Sequence, residues 1–356
     1  MRKHRWLMLL ALLIAVLAVA GCGDDDDGDE GAATTESTEQ PAQDTITNND
    51  KNSTTKLTIG SKNFTEQKVL GEIYAQALAA SGYDVSTELN LGDEKTALKA
   101  VEGGEISAYP EYTGTALLSF FGFTADKLPS DEQTAFEEAK KGFAEKDLTA
   151  LPPTPFVSSN EVAVTKETAD KLGLEKISDL EGKSQDLTLY GSPECRQRLD
   201  CKLGLEQVYG LKFKKFVPVD LALRHEVLSK GQADVSIVFT TDPQNKREGF
   251  VLLEDDKGMF PPYNSTLVVR NDILDRAGPD LQATVELVNK GLTDEVMQEL
   301  NARVDLDKET PEQVAGEYLK ESGLVESGRR ATSLRGRRPA GAGPAGAARG
   351  GALDSL

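Results

Sequence analysis

The residues here whose types and spacing suit chemistry are aromatic and hydroxyl-bearing, and they occur twice. One group is Glu111-Tyr112-Thr113-Gly114-Thr115; its partial echo is Val238-Phe239-Thr240-Thr241-Asp242. Each follows an expected helix, a glycine and a short apolar run. Aligned without a gap, Gly104 falls on Gly231, Tyr112 on Phe239 and Thr113 on Thr240. Each group therefore sets a ring where a strand should end. In open α/β sheets, ligands bind just beyond the carboxyl ends of strands, so two such units facing each other place two rings on one cleft. That pattern points to binding. The plainer alternative is that Tyr112 and Phe239 are core aromatics at strand ends.

Groups for bond-breaking chemistry are scarce. The two histidines are His4 and His225, and His4 lies in a leader described below. A single remaining imidazole excludes a multi-histidine metal site and leaves histidine-dependent nucleophilic catalysis without a motif. His225 is expected as a partly exposed residue of a helix over 221–229. No phosphate-cradling glycine loop, nucleophile elbow or HExxH pattern occurs. No metal and no cofactor is expected. Of the three cysteines, Cys195 and Cys201 lie six apart, and in an exported chain they are expected to pair. The bond would fix the direction of Arg196 or Arg198. A zinc site on two thiols without a nearby histidine is the alternative set aside.

The termini read differently from the body. Arg2, Lys3, His4 and Arg5 precede an apolar stretch from Trp6 to Ala20, too short for an ordinary membrane span and typical of a secretory signal. Its end, Ala18-Val19-Ala20-Gly21-Cys22, resembles a bacterial lipobox, which implies cleavage after residue 21 and lipid on Cys22; an uncleaved anchor or an ordinary signal is the alternative. Several acyl chains on one cysteine hold a protein durably at a membrane, where a single chain does not. Residues 22–55, with Asp24 to Asp27 and few large apolar residues, read as a disordered acidic tether. Residues 327–356, rich in Gly, Ala and Arg, read as a disordered tail. The formal net charge of −19 argues against nucleic acid as a partner and for solubility.

The elements that must position the rings follow from periodicity. Leu57 to Gly60 reads as a strand, Thr65 to Gly82 as a helix with Val69, Leu70, Ile73, Ala77 and Leu78 at helical spacing, Tyr83 to Leu91 as a strand, Lys95 to Val101 as a helix and Ile106 to Tyr109 as a strand. Glu132 to Lys146 is an amphipathic helix. Pro152, Pro153 and Pro155 then stiffen a crossing. A second unit runs through strands at 161–164, 187–190, 213–217 and 232–239, with helices at 166–172 and 203–209, and returns at 250–253 and Pro261-Pro262-Tyr263. A strand at 266–270 and helices at 284–290, 293–304 and 310–322 finish the body. The expected fold is α/β with two lobes: residues 56–154 and 258–326 form the first, residues 155–257 the second. Two crossings between lobes permit hinge closure.

Taken together, Ile59-Gly60-Ser61-Lys62-Asn63-Phe64-Thr65-Glu66-Gln67, the Glu111–Thr115 run, Thr240-Thr241-Asp242 and Leu253–Gly258 with Pro261-Pro262-Tyr263 resemble the substrate-binding proteins of osmoprotectant ABC importers, which take up glycine betaine, choline and related quaternary amines. The resemblance covers nearly all of residues 56–325. It implies a type II periplasmic-binding-protein-like fold, an ABC permease as partner, a monomeric carrier outside the cell membrane and no enzymatic activity. A quaternary ammonium has no N–H to donate, so rings hold it, at about 0.5–2 kcal/mol each. By resemblance, Tyr112, Tyr263 and Phe239 match cage tyrosines, Phe239 without the hydroxyl. Lys62, Thr115 and Arg198 map to the carboxylate side. Asn160 stands where a fourth tyrosine is usual, so Glu111, Glu161 or a neighbouring ring must compensate, or the pocket suits a larger or more polar amine such as carnitine or ergothioneine. An enzyme on the same bilobal scaffold, or a sensory lipoprotein with a degenerate pocket, are the readings from other classes.

Overall fold

Short apolar runs bounded by glycine and by helix signals form ten strands in two five-stranded sheets. The computed structural model describes residues 45–326; the expected leader, Cys22, most of the expected tether and the Arg-rich tail lie outside the described residues. The first sheet is built from β1 (Lys56–Gly60), β2 (Asp84–Glu88), β3 (Ala108–Tyr112), β4 (Leu148–Ala150) and, from the far end of the chain, the strand Ser265–Arg270. The second is built from β5 (Asn160–Val164), β6 (Thr188–Gly191), β7 (Lys215–Pro218), β8 (Val235–Phe239) and β9 (Val251–Leu253). With Ser265–Arg270 as β10, the orders are β2-β1-β3-β10-β4 and β7-β6-β8-β5-β9.

The two orders are the same design. In the first sheet β1 runs parallel to β2 and β3, and β10 lies antiparallel to β3. In the second, β6 runs parallel to β7 and β8, and β5 lies antiparallel to β8. Strands β3 and β8 thus hold equivalent central places, as the sequence echo between them requires. Gly104 and Gly231, which precede them, both adopt left-handed φ, +78° and +66°, a conformation glycine enters without steric cost where a helix must stop.

The chain passes between the sheets twice, and the passages brace one another. Val157 bridges Asn264 in antiparallel fashion, Thr154 N–H donates to Ser265 O at 2.8 Å, and Ser158 N–H donates to Tyr263 O at 3.2 Å. Prolines 152, 153 and 155 donate no N–H, which confines that strand to the margin of a sheet. The long helix Thr65–Ala80 covers one face of the first sheet with fully buried Val69, Leu70, Ile73 and Leu78, against the helices Pro279–Asn289, Asp294–Asp305 and Pro311–Glu321. Leu117, Phe136 and Phe143 pack the other face. Val162, Leu189, Val235 and Leu205 centre the second core.

Several expectations are corrected. Residues 45–54 are ordered, where a structureless run to residue 55 is expected from composition. A 3₁₀ turn spans Asp50–Thr54, the Asn49 side chain caps it by accepting from Lys51 N–H, and buried Asn52 donates to Ser81 O at 2.9 Å. The order comes from hydrogen bonds to distant backbone, such as Ile46 N–H to Leu324 O at 2.8 Å, so hydropathy does not reveal it. Met259 is buried in the second core and Phe260 packs against both cores, so the return crossing extends past the expected boundary at 257. Helices Thr113–Ser119, Pro243–Glu248 and Asn271–Ala277, and strand β4, carry no expectation; each is seven residues or fewer, too short for periodicity to register. His225 is buried.

Candidate functional site

The strand ends of both sheets open onto one cavity of about 290 Å³. Tyr112, Phe239, Tyr263, Asn160, Lys62, Thr115 and Arg198 all line it, so the structure brings every expected ligand-contact residue to one place. Their positions follow from local geometry. Tyr112 ends β3 and Phe239 ends β8. Asn160 is paired in register with Phe239 across β5 and β8. Tyr263 lies two residues before Ser265, which pairs with Tyr112. The chain carrying Tyr263 comes close because Gly114 lacks a side chain: a Cβ there would lie 2.8 Å from Tyr263 Cε1 and 2.9 Å from Pro262 O. Thr113 fastens the approach, its hydroxyl donating to Pro262 O at 2.9 Å.

The rings form a group that spans both lobes. Phe64 stacks on Tyr112 with centroids 6.3 Å apart and meets Phe239 at 5.3 Å. It belongs to the cavity wall and is not among the residues expected to hold ligand, although it sits in the Lys62–Gln67 motif. Its place immediately before the helix Thr65–Ala80 is the signal that points to it. Phe239 lacks the hydroxyl of a tyrosine and is held otherwise. The Arg224 guanidinium lies 4.1 Å from its ring centroid and bonds to Asp242, through Nε at 3.1 Å and Nη2 at 2.6 Å. Asp242 also accepts from Phe239 N–H at 2.7 Å. Sequence reasoning misses Arg224, whose single positive charge looks like any surface cation.

Beneath the rings lies a layer of buried carboxylates. Tyr112 donates its hydroxyl to Glu66 at 2.6 Å, and Asn301 Nδ2 donates to the other oxygen at 2.9 Å. Burial pushes the Glu66 carboxyl up, against the pull of these donors. Burial, and then the Glu66 charge, push the Tyr112 hydroxyl well above its usual range, so it stays a donor. Lys62 Nζ pairs with wholly buried Glu111 and lies 4.5 Å from the Tyr112 centroid. Burial raises the Glu111 carboxyl and Lys62 pulls it back.

The second polar centre is Asp200, which sequence reasoning also misses. The disulfide Cys195–Cys201, with Cα atoms 5.1 Å apart, closes the loop that carries Arg198 and Asp200. Arg198 Nε donates to Asp200 Oδ1 at 2.8 Å, and Nη1 lies 3.1 Å from Glu94. Asn160 Nδ2 donates to Asp200 Oδ2 at 3.0 Å, and Tyr263 donates its hydroxyl to the same oxygen. Burial alone would raise the Asp200 carboxyl, but the charge and hydrogen bonds of Arg198, with the Tyr263 hydroxyl, hold it below the usual range. Glu161, one of the groups expected to compensate for Asn160, is not on the cavity wall; neighbouring residues of a strand face opposite ways, and Glu161 lies beside Asp255.

The arrangement can enclose a small cation between rings from two lobes; among the described residues no cluster of three or more metal-ligating side chains accompanies it. Comparison with known proteins agrees with this geometry. Residues 55–321 match the family model described as the substrate-binding domain of ABC-type glycine betaine transport systems. The chain is similar to the glycine-betaine-binding protein of Pseudomonas aeruginosa, 34% identical over 284 residues that cover 77% of this chain and 90% of the relative. It is similar to the ergothioneine transport permease/ergothioneine binding protein EgtU of Helicobacter pylori, 30% identical over 75% of this chain and 48% of that protein. A crystal structure of a glycine betaine/carnitine/choline ABC transporter superposes with a TM-score of 0.62 at 27% identity, covering 75% of this chain and 99% of that one. The chain belongs to the family of substrate-binding domains of ABC-type glycine betaine transport systems.

Proposed function

We propose that this chain captures a quaternary amine between its two lobes, with Phe64, Tyr112, Phe239 and Tyr263 as the cage, and delivers it to an ABC permease. The observation that carries this reading is the convergence of rings from both sheets on one cavity. A ligand that touches both lobes favours the closed arrangement because those contacts exist together only there. The lobes meet at the paired crossings, which places the hinge near residues 151–159 and 254–264. The carrier is not an enzyme and returns its ligand unchanged. It works as a monomer outside the cytoplasm, held to the outer face of the cell membrane by lipid on Cys22 after cleavage of residues 1–21. In this reading residues 22–44 span the gap between anchor and body.

The test is a calorimetric and thermal-shift screen of the exported chain against glycine betaine, choline, carnitine and ergothioneine. At least one should bind and raise the melting temperature, since a ligand that binds only the folded state stabilises it by mass action. Absence of binding by all quaternary amines would sink the reading. The anchor has its own test: Cys22→Ala should move the protein from the membrane fraction to the soluble one.

A further inference from the structure

The charge balance of the cavity deepens the reading above and rests on it. A ligand carboxylate needs cations free to receive it, and both cations on the wall are already engaged. Lys62 Nζ is ion-paired with Glu111, whose side chain is fully buried. Arg198 is bound by Asp200 through Nε and Nη2, and by Glu94 through Nη1. Asp200 is completed by Asn160 and Tyr263, so the network around Arg198 is closed without a ligand. The rest of the ionisable wall is negative: Asp93, Glu194 and Asp220 line the cavity, and no lysine or arginine does so besides Lys62 and Arg198.

These observations set the cost of each ligand class. To hold a carboxylate, Arg198 would have to leave Asp200, stranding a buried negative charge, or accept a third carboxylate beside Glu94 and Asp200. Stranding one partner of a buried pair is strongly unfavourable. Lys62 faces the same choice with Glu111. An amine without a carboxylate demands neither. The rings receive its methyl groups through their quadrupoles, and surplus negative charge around the cavity attracts it with little competition from solvent.

We propose that this site selects quaternary amines of net positive charge, the choline type, over zwitterions such as glycine betaine, and that the Lys62–Glu111 and Glu94–Arg198–Asp200 groupings make the discrimination. Choline and glycine betaine share the trimethylammonium group and differ in the hydroxyl or carboxylate beyond it, so the pair isolates the effect. Calorimetry on the unmutated chain should give a dissociation constant for choline about tenfold or more below that for glycine betaine. Equal or tighter binding of glycine betaine overturns the inference and leaves the proposed function standing. Failure of choline, glycine betaine and the probe tetramethylammonium to bind overturns both. Glu94→Gln, which removes one carboxylate from Arg198 at the less central position, should narrow the choline preference about threefold or more. An unchanged ratio in a variant with native circular dichroism overturns the role assigned to that grouping.

Discussion

Asn160 donates from Nδ2 to the Asp200 carboxylate at 3.0 Å, across 40 residues of sequence. The bond explains why an amide stands where the resembled family usually has a ring: this wall must satisfy a buried carboxylate. Asn160 also donates to Asp200 O at 3.1 Å, so its loss leaves two acceptors short of a donor. Asn160→Ala should cost about 1–3 kcal/mol and lower the melting temperature by about 3–10 °C for a body of this size. A melt within a degree of the parent would show that Asp200 does not depend on Asn160.

The cage is tested by truncating its rings. Tyr112→Ala and Tyr263→Ala should each weaken a quaternary amine about tenfold or more, because each removes a face worth about 0.5–2 kcal/mol and opens the cavity to water. Phe64→Ala should behave like them, since Phe64 touches rings of both lobes. Tyr112→Phe keeps the face and loses only the bond to Glu66, so affinity should fall far less than with alanine. Calorimetry of the four variants decides the matter; equal losses for Tyr112→Phe and Tyr112→Ala would move the weight from ring to hydroxyl.

The parts of this site legible in sequence are those whose signal is local. Tyr112 and Phe239 announce themselves because each ends an apolar run after a glycine, and the doubled pattern matches doubled strand places in the two sheets. The Cys195–Cys201 bond is legible from spacing and compartment. Asp200 is not legible: inside a polar loop it looks solvated, and only folding brings Arg198, Asn160 and Tyr263 around it. Arg224 is hidden for the same reason, since its stacking on Phe239 depends on a helix folding back against β8. The ordered stretch before β1 escapes because its partners, Ser81 and Leu324, are remote in sequence.

One stripe of the helix Asp294–Asp305 grips the second lobe. Asp294, Gln298, Asn301 and Asp305 share a helical face. Asp294 accepts from Val157 N–H at 2.8 Å, Gln298 Nε2 donates to Thr240 O at 3.3 Å, Asn301 Nδ2 donates to Thr241 O at 3.3 Å, and Asp305 accepts from Gln244 Nε2 at 2.9 Å. Three of these partners follow Phe239 directly in sequence, so the stripe holds the segment that carries a cage ring. Each bond contributes about 0.5–1.5 kcal/mol net. Gln244→Ala with Gln298→Ala should therefore speed ligand release by about fivefold to tenfold in stopped-flow measurements. Release at the parental rate would assign these contacts to the fold alone.

Glu161 gives the protein a pH dependence of known sign. Burial, and secondly the charge of Asp255, raise its folded-state pKa to about 7. The unfolded value is about 4.3, so the folded chain holds this proton more tightly than the unfolded one. The resulting stability is fully present below about pH 4 and is lost as pH rises through about 7. Glu161→Gln replaces the ionisable group with a neutral one of similar shape and removes that loss. The variant should gain up to about 3 kcal/mol over the parent at pH 8 and little at pH 5, each pKa unit being worth about 1.4 kcal/mol. Urea unfolding of both proteins at the two pH values measures the difference directly. Equal gaps at both values would mean that Glu161 titrates as an exposed carboxylate, with Asp255 exerting no hold on it.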